Sequence, residues 1–273
     1  MDAFVNVLDE MTRQVSVAQH RNPELELSAF LPVKGNLAVG ELMIVGRAPN
    51  GWGESWRPSD AVDSHSRKKI IDEAIRSSWA RDRCPMSWIS RWWSTLVFQC
   101  GDCKKEYTAK TQSCNECGGQ KVRRAYNPAR SPFWRVVREA THALAIADRA
   151  KVDWPSNLIW TDLYKISPYE GGNPSSSLIR LQQSLCVQLL CEEIRHFKPR
   201  RILFLTGHDW AQPFLAGMGV TYAQKHFGYV SFAEAIEVGS LRPQVVVAPH
   251  PQGKPEALIV HDITAAFKKL PGQ

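Results

Sequence analysis

Four short apolar runs constrain the fold of this 273-residue chain more than any other feature. They lie at 41–45, 158–163, 201–206 and 244–248, and most end at a glycine or a proline. None alternates strictly between polar and apolar residues, which is typical of parallel strands covered on both faces. Helical periodicity appears at 1–30, 66–80, 133–147, 176–197 and 255–269. The pattern predicts an α/β fold, a three-layer α/β/α sandwich with a short, mainly parallel four-stranded sheet.

Two Cys-x-x-Cys pairs interrupt this pattern. Cys100 and Cys103 form the first pair and Cys114 and Cys117 the second, with ten residues between the two pairs. Two such knuckles bring four thiolates together around one ion, which predicts a structural Zn²⁺ in a zinc-ribbon insert at 98–120. The flanks, 1–97 and 121–273, would then form one α/β domain. An iron–sulfur cluster is the alternative, since four thiolates also hold such clusters.

The net charge of +7 is concentrated in one segment. Nine basic residues and two acidic ones lie between positions 104 and 138. Such a stripe is expected for a polyanionic partner, and a solvated basic surface is the alternative that charge alone does not exclude. If the partner is DNA, the expected phosphate contacts from this segment are Lys121, Arg123, Arg124, Arg130 and Arg135.

Several classes of protein lose support from the composition. A hydrophobic fraction of 44% with ten tryptophans argues against disorder. No apolar run approaches the ~20 residues of a membrane span, and the N-terminus does not resemble a signal peptide, so we expect a cytoplasmic protein without membrane contact. No glycine-rich phosphate-binding motif occurs, so we expect no nucleotide cofactor.

Four segments, in order, resemble the motifs of the uracil-DNA glycosylase superfamily. They are Ile44-Val-Gly-Arg-Ala-Pro-Asn50, Ser131-Pro-Phe-Trp-Arg-Val-Val137, the segment 159–168 (IWTDLYKISP) and Ala248-Pro-His-Pro-Gln252. In that superfamily the first segment orients the attacking water and the second stacks an aromatic ring on a flipped base. The third reads the base edge, and the fourth donates to the base and wedges into the duplex.

The resemblance implies a role for individual residues. It places Gly46, Ala48 and Pro49 against the base, Phe133 on its face and Asp162 at its edge. Asn50 and His250 become the candidate catalytic residues, the first positioning water and the second donating to base O2. Gln252 and Lys254 would contact the duplex. Ala48 stands where an acid is common in the superfamily, so Glu54 or Asp60 are candidates for the base that activates water.

Asp162 stands where the superfamily has a base-reading asparagine. A carboxylate offers acceptors only, which suits the N4 amino group of cytosine and repels O4 of uracil. Because excision of ordinary cytosine would destroy the host genome, the expected substrate is a modified cytosine. We expect a monofunctional DNA glycosylase that flips a 5-hydroxymethyl or glucosylated cytosine from viral duplex DNA, leaves an abasic site and serves antiviral defence. The alternatives are a repair glycosylase for uracil or deaminated bases and a non-catalytic DNA-binding module.

Overall fold

The computed structural model describes residues 2–22, 24–79, 84–103, 105–221 and 227–271. Its helices are α1 (Asp2–Gln19), α2 (Ser64–Trp79), α3 (Ser87–Ser94), α4 (Pro132–Ala143), α5 (Ser176–Phe197), α6 (His208–Gly217) and α7 (Glu256–Lys269). The first six strands are β1 (Leu27–Ala29), β2 (Val33–Lys34), β3 (Leu42–Gly46), β4 (Phe98–Cys100), β5 (Glu106–Tyr107) and β6 (Val122–Arg124). The remaining strands are β7 (Ile159–Asp162), β8 (Ile166–Pro168), β9 (Arg201–Leu205), β10 (Phe232–Ala235) and β11 (Gln244–Ala248).

The main sheet has six strands in the order β10-β11-β9-β3-β7-β2. Its centre, β11-β9-β3-β7, is parallel and corresponds to the four apolar runs. The prediction of four strands was wrong because an antiparallel strand flanks this centre on each side. β2 is two residues long and most of β10 is only half-buried, so neither shows a strong apolar pattern.

Helices cover both faces of this sheet. Alternate side chains of β3 point to opposite sides, as the geometry of a strand requires. Met43 and Val45 pack in a core shared with α1, α2, α5 and α6, whereas Leu42 and Ile44 pack in a second core with α3, α4 and α7. The fully buried strands therefore need no polar face, which explains their unbroken apolar sequence.

Three predicted elements differ from the structure by four residues or more at one end. The helix predicted over 133–147 is α4, which ends at Ala143. The helix expected over 1–30 ends at Gln19, because residues 27–29 form β1 and pair with β8. The insert is also longer than expected, since its three-stranded sheet, β5-β4-β6, extends to Arg124. The chain enters and leaves this sheet at one place, where the amide of Ala125 donates to the carbonyl of Val97 at 2.8 Å. Within the described ranges, no helix is long and apolar enough to cross a bilayer.

Candidate active site

A cavity of about 930 Å³ opens at the carboxyl ends of β3 and β7. This is the edge at which open α/β sheets bind their ligands. The cavity brings together all four segments that the sequence singled out, since its wall includes Gly46, Asn50, Phe133, Asp162 and His250. Ala48 and Pro49 also line it.

Asp162 and Gly46 lie side by side in this wall. They are register partners at the ends of the parallel strands β7 and β3. A Cβ atom built on Gly46 would lie 2.1 Å from Oδ1 of Asp162 and 3.7 Å from the ring of Phe133. Only glycine leaves room for the carboxyl group here, so the packing itself explains the glycine that ends β3.

The carboxyl group of Asp162 is buried, with 2% of the residue exposed. Burial raises its pKa to about 7, against the opposing effect of Lys165 and with a further increase from Glu193. Within the described chain, its Oδ2 has no hydrogen-bond partner. Near neutral pH this group therefore exists in both protonation states, and the acid form supplies one donor and one acceptor.

A buried ion pair lies behind Asp162. The ammonium group of Lys165 is 2.7 Å from Oε1 of Glu193, and both side chains are fully buried. Lys165 also donates to the carbonyl of Asp162 and to the hydroxyl of Thr161, each at 2.6 Å. Thr161 in turn donates to Glu193 at 2.8 Å. This network fixes the end of β7, and with it the backbone that carries Asp162.

His250 lies in the loop that follows β11. Its ring is nearly parallel to that of Phe133, at 25° and a centroid distance of 6.2 Å. Burial, with the charges of Arg47 and Lys254, lowers the pKa of His250 to about 4, so the ring is neutral near pH 7. Its Nδ1 accepts from the amide of Gln252 at 3.4 Å, which leaves Nε2 as the protonated nitrogen and therefore as a donor.

The loop after β3 is held against the end of β7. The amides of Leu163 and Tyr164 donate to the carbonyls of Gly46 and Arg47 at 2.9 and 3.0 Å. Asn50 is exposed on the cavity side of this loop, where its amide is a candidate to position water. Glu54 and Asp60 are placed elsewhere. They line a separate cavity of about 420 Å³, and the described wall of the main cavity does not include them.

Sequence reasoning missed most of the aromatic wall. Trp52, Trp88, Trp92, Tyr126 and Trp160 all line the cavity. Neighbouring rings pack edge to face, with centroids 5.1 Å apart for Trp52 and Trp160 and 5.7 Å for Trp88 and Trp92. These residues come from separate segments, so the ten tryptophans of the composition were the one available signal.

Arg47 is a second residue that was missed. Its Nε donates to the carbonyl of Thr206 at 2.9 Å, and its guanidinium carbon lies 5.1 Å from the ring centre of Trp210. Partial burial lowers the pKa of Arg47, against the effect of Asp209. It places a fixed positive charge in the cavity wall, beside His250.

The predicted DNA contacts are spread over three kinds of position. Arg124, Arg130 and Gln252 line the cavity and are exposed. Lys121 and Arg123 are exposed on the insert, and Lys254 is exposed beyond His250. Arg135 differs, since it is half-buried and its Nε lies 2.8 Å from Oε2 of Glu256, which neutralises its charge locally. Arg135 therefore offers the weakest attraction to phosphate of the set.

The four cysteines of the insert form one cluster. Their sulfur atoms all lie within 4.8 Å of one another, with 3.6 Å between Cys100 and Cys117 and 3.4 Å between Cys103 and Cys114. Tetrahedral zinc with Zn–S bonds of about 2.3 Å requires sulfurs ~3.8 Å apart, so the spacing fits one ion. The amide of Asp102 donates to the sulfur of Cys100 at 3.4 Å, as expected around a thiolate.

Comparison with known proteins gives no family assignment. No model of a protein family matches the chain, and no curated protein matches it.

Proposed function

We propose that the protein is a DNA glycosylase of the uracil-DNA glycosylase superfamily, built as a three-layer α/β/α domain with an inserted zinc ribbon. One observation carries this proposal. The four separate segments that resemble the superfamily's motifs converge on a single cavity at the carboxyl edge of the sheet. A flipped base would enter this cavity, with Phe133 against its face, Asp162 at its edge and His250 at O2.

The reaction is hydrolysis of the bond between sugar C1′ and base N1. As this bond breaks, both electrons leave with the base, and the acid form of Asp162 passes its proton to N3. The base then leaves as a neutral molecule, while Nε2–H of His250 stabilises the charge that develops on O2. A water positioned by Asn50 adds to C1′ and releases a proton to solvent, which leaves an abasic site. Solvent then reprotonates Asp162.

A cytosine-type base suits this chemistry better than uracil. Cytosine lacks a proton on N3, so it needs an acid there to become a good leaving group, whereas uracil already carries one. The deprotonated form of Asp162 also accepts from N4 and repels O4. The cavity volume of about 930 Å³ lies near the upper end of the ~300–1,000 Å³ common for ligand pockets. We therefore propose a cytosine that carries a 5-hydroxymethyl or glucosylated group, as in viral DNA, and a role in antiviral defence.

Zinc is the ion we propose for the cysteine cluster. Four thiolates close its coordination shell and leave no position for water, so the ion would contribute stability and no chemistry. A multinuclear iron–sulfur cluster would hold its cysteine sulfurs further apart than a single ion does. The compact arrangement of Cys100, Cys103, Cys114 and Cys117 therefore favours one ion.

Two specific observations favour other functions. The acid form of Asp162 presents one donor and one acceptor, and this pattern also matches the N3 and O4 edge of uracil, as a repair enzyme would require. Asp162 is also the one acidic residue in the described cavity wall, so no second carboxylate is present there to activate water. That arrangement favours a non-catalytic DNA-binding module.

The deciding experiment is base release from duplexes that contain uracil, cytosine, 5-hydroxymethylcytosine or glucosylated hydroxymethylcytosine, scored as abasic sites. We expect release of a modified cytosine and a loss of that preference in Asp162→Asn. Release of uracil alone would favour the repair enzyme. No release from any duplex, with DNA binding intact, would favour the binding module.

A further inference from the structure

The insert forms part of the cavity wall. Gln99 on β4 and Arg124 on β6 both line the cavity, followed by Tyr126 and Asn127 just after β6. The cysteine cluster is thus connected to the candidate site, because β4 bears its first ligand, Cys100, and also contributes Gln99 to the cavity wall. Gln99 directly precedes the ligand Cys100, which is fully buried.

Few interactions other than the cluster fix these strands. Their three-stranded sheet contains only eight residues, and its apolar side chains Phe98, Tyr107 and Val122 are only partly buried. The ion pair between Arg91 of α3 and Glu106 of β5, at 3.0 Å, is largely exposed and contributes little. A domain this small lacks enough apolar core to fold alone, so its geometry depends on the metal.

The wall around the insert combines ring faces from α3 and from the segment just after β6 with planar polar groups. Trp88 and Tyr126 have ring centroids 6.2 Å apart, and Trp92 adjoins Trp88. Gln99, Arg124 and Asn127 add amide and guanidinium donors around these rings. Apolar faces edged by a few hydrogen-bonding groups suit a polar, uncharged substituent with hydroxyl groups.

We propose that the metal-held insert determines which base substituent the cavity accepts, with Gln99 and Arg124 as the specificity-determining residues. This inference rests on the proposed function, since it concerns the same cavity. Asp162, Phe133, Asn50 and His250 of the α/β domain hold the pyrimidine and break the bond, and the insert binds the group attached to carbon 5. Loss of the metal releases β4 and β6 from the cavity wall. The protein then discriminates less well between the glucosylated base and the smaller 5-hydroxymethylcytosine.

The test compares two duplexes that differ only in the substituent, 5-hydroxymethylcytosine and its glucosylated form. Two ratios are measured for Gln99→Ala, Arg124→Ala and metal-free protein. Each is the value for the glucosylated duplex divided by the value for the 5-hydroxymethyl duplex, first for kcat/KM and then for 1/Kd. Loss of one hydrogen bond to the substituent is expected to reduce either ratio about 3- to 10-fold. Lys110→Ala is the matched control, because Lys110 is exposed on the insert and is not among the described residues that line the cavity.

The outcomes separate this inference from the proposed function. A reduced ratio in the two variants and in metal-free protein, with Lys110→Ala changing both duplexes by the same factor, supports the inference. If the two variants and the metal-free protein all cleave DNA with unchanged ratios, the inference about the insert is overturned and the proposed function stands. If no duplex is cleaved, the proposed function fails, and the Kd ratio alone then decides whether the insert discriminates. Tryptophan emission provides an independent readout, because Trp88 and Trp92 line the same cavity as Gln99 and Arg124, so displacement of the insert should change their surroundings.

Discussion

The carboxyl oxygen Oδ1 of Asp162 occupies the space in which a side chain on Gly46 would begin. Only 2.1 Å would separate it from a Cβ at that position. The neighbouring strands β3 and β7 are fully buried, so neither backbone can shift far to relieve the overlap. The position of the Asp162 carboxyl group therefore depends on Gly46 of β3 as well as on its own strand, β7.

Gly46→Ala should therefore displace the carboxyl group and reduce base release. We expect a fall in kcat/KM of about 100-fold or more, the size associated with a misplaced catalytic group. Thermal unfolding checks that the fold survives, and a crystal structure of the variant would show the side chain rotated away. Full activity in a stably folded Gly46→Ala protein would contradict the proposed role of Asp162.

The pKa of Asp162 predicts how stability depends on pH. Folding raises this pKa from about 3.9 to about 7, so the folded state holds the proton more tightly. The resulting stabilisation is complete below pH ~4 and is lost as the pH rises to about 7. Asp162→Asn cannot titrate, so its Tm relative to the wild type should increase by several degrees between pH 4 and pH 8. A difference in Tm that is independent of pH would show that the carboxyl group is not buried as described.

Arg47 should contribute to the low pKa of His250. Burial is the main cause of the low pKa of His250, and the charge of Arg47 is the next. Arg47→Met removes the charge while keeping most of the bulk, so the pKa of His250, measured by NMR, should rise toward its usual value of ~6.5. Lys254→Met is the matched control and should cause a smaller rise. Equal effects of the two variants would contradict the geometry.

The ion pair behind Asp162 gives a prediction about stability. Lys165→Met leaves Glu193 buried without its partner, which typically costs about 3–5 kcal/mol. Lys165→Met combined with Glu193→Gln removes the second charge and keeps an amide beside Thr161. The double variant should recover most of the lost free energy of unfolding, measured by urea denaturation. A double variant no more stable than Lys165→Met would show that the charge on Glu193 is tolerated.

The cysteine cluster predicts one bound ion per chain. Cys100→Ser removes a fully buried ligand and should abolish stoichiometric zinc, measured by elemental analysis of the purified protein. Cys191→Ser is the control, because Cys191 lies half-buried on α5, away from the cluster. Several irons per chain, with visible absorbance, would instead indicate an iron–sulfur cluster.

The centre of the fold could be predicted from sequence because its signals are local. β11 was predicted with its observed bounds, since Gln244–Ala248 is a short apolar run that ends at a proline. The long helix α5 was also predicted with its observed bounds. Its first turn is capped by the hydroxyl of Ser175, which accepts from the amide of Leu178, and Pro199 follows its end. Both signals lie within a few residues of the element they define.

The missed parts depend on contacts between distant residues. β1 pairs with β8, about 140 positions further along the chain, and its three residues carry no pattern of their own. Glu54 and Asp60 follow the candidate loop closely in sequence, yet the chain carries them to a different cavity. The aromatic wall likewise gathers Trp52, Trp88 and Trp160 from segments that no periodicity connects.

The hydrogen-bonded neighbours Val97 and Ala125 have an evolutionary consequence. Because the chain leaves the α/β domain and returns to it at one point, recombination can replace the intervening segment without altering the order of the strands in the main sheet. The residues proposed to break the bond and those proposed to select the substituent lie on opposite sides of this junction. Under the proposed function, a lineage that meets changing modifications in foreign DNA could exchange the segment proposed for recognition and inherit the one proposed for hydrolysis intact.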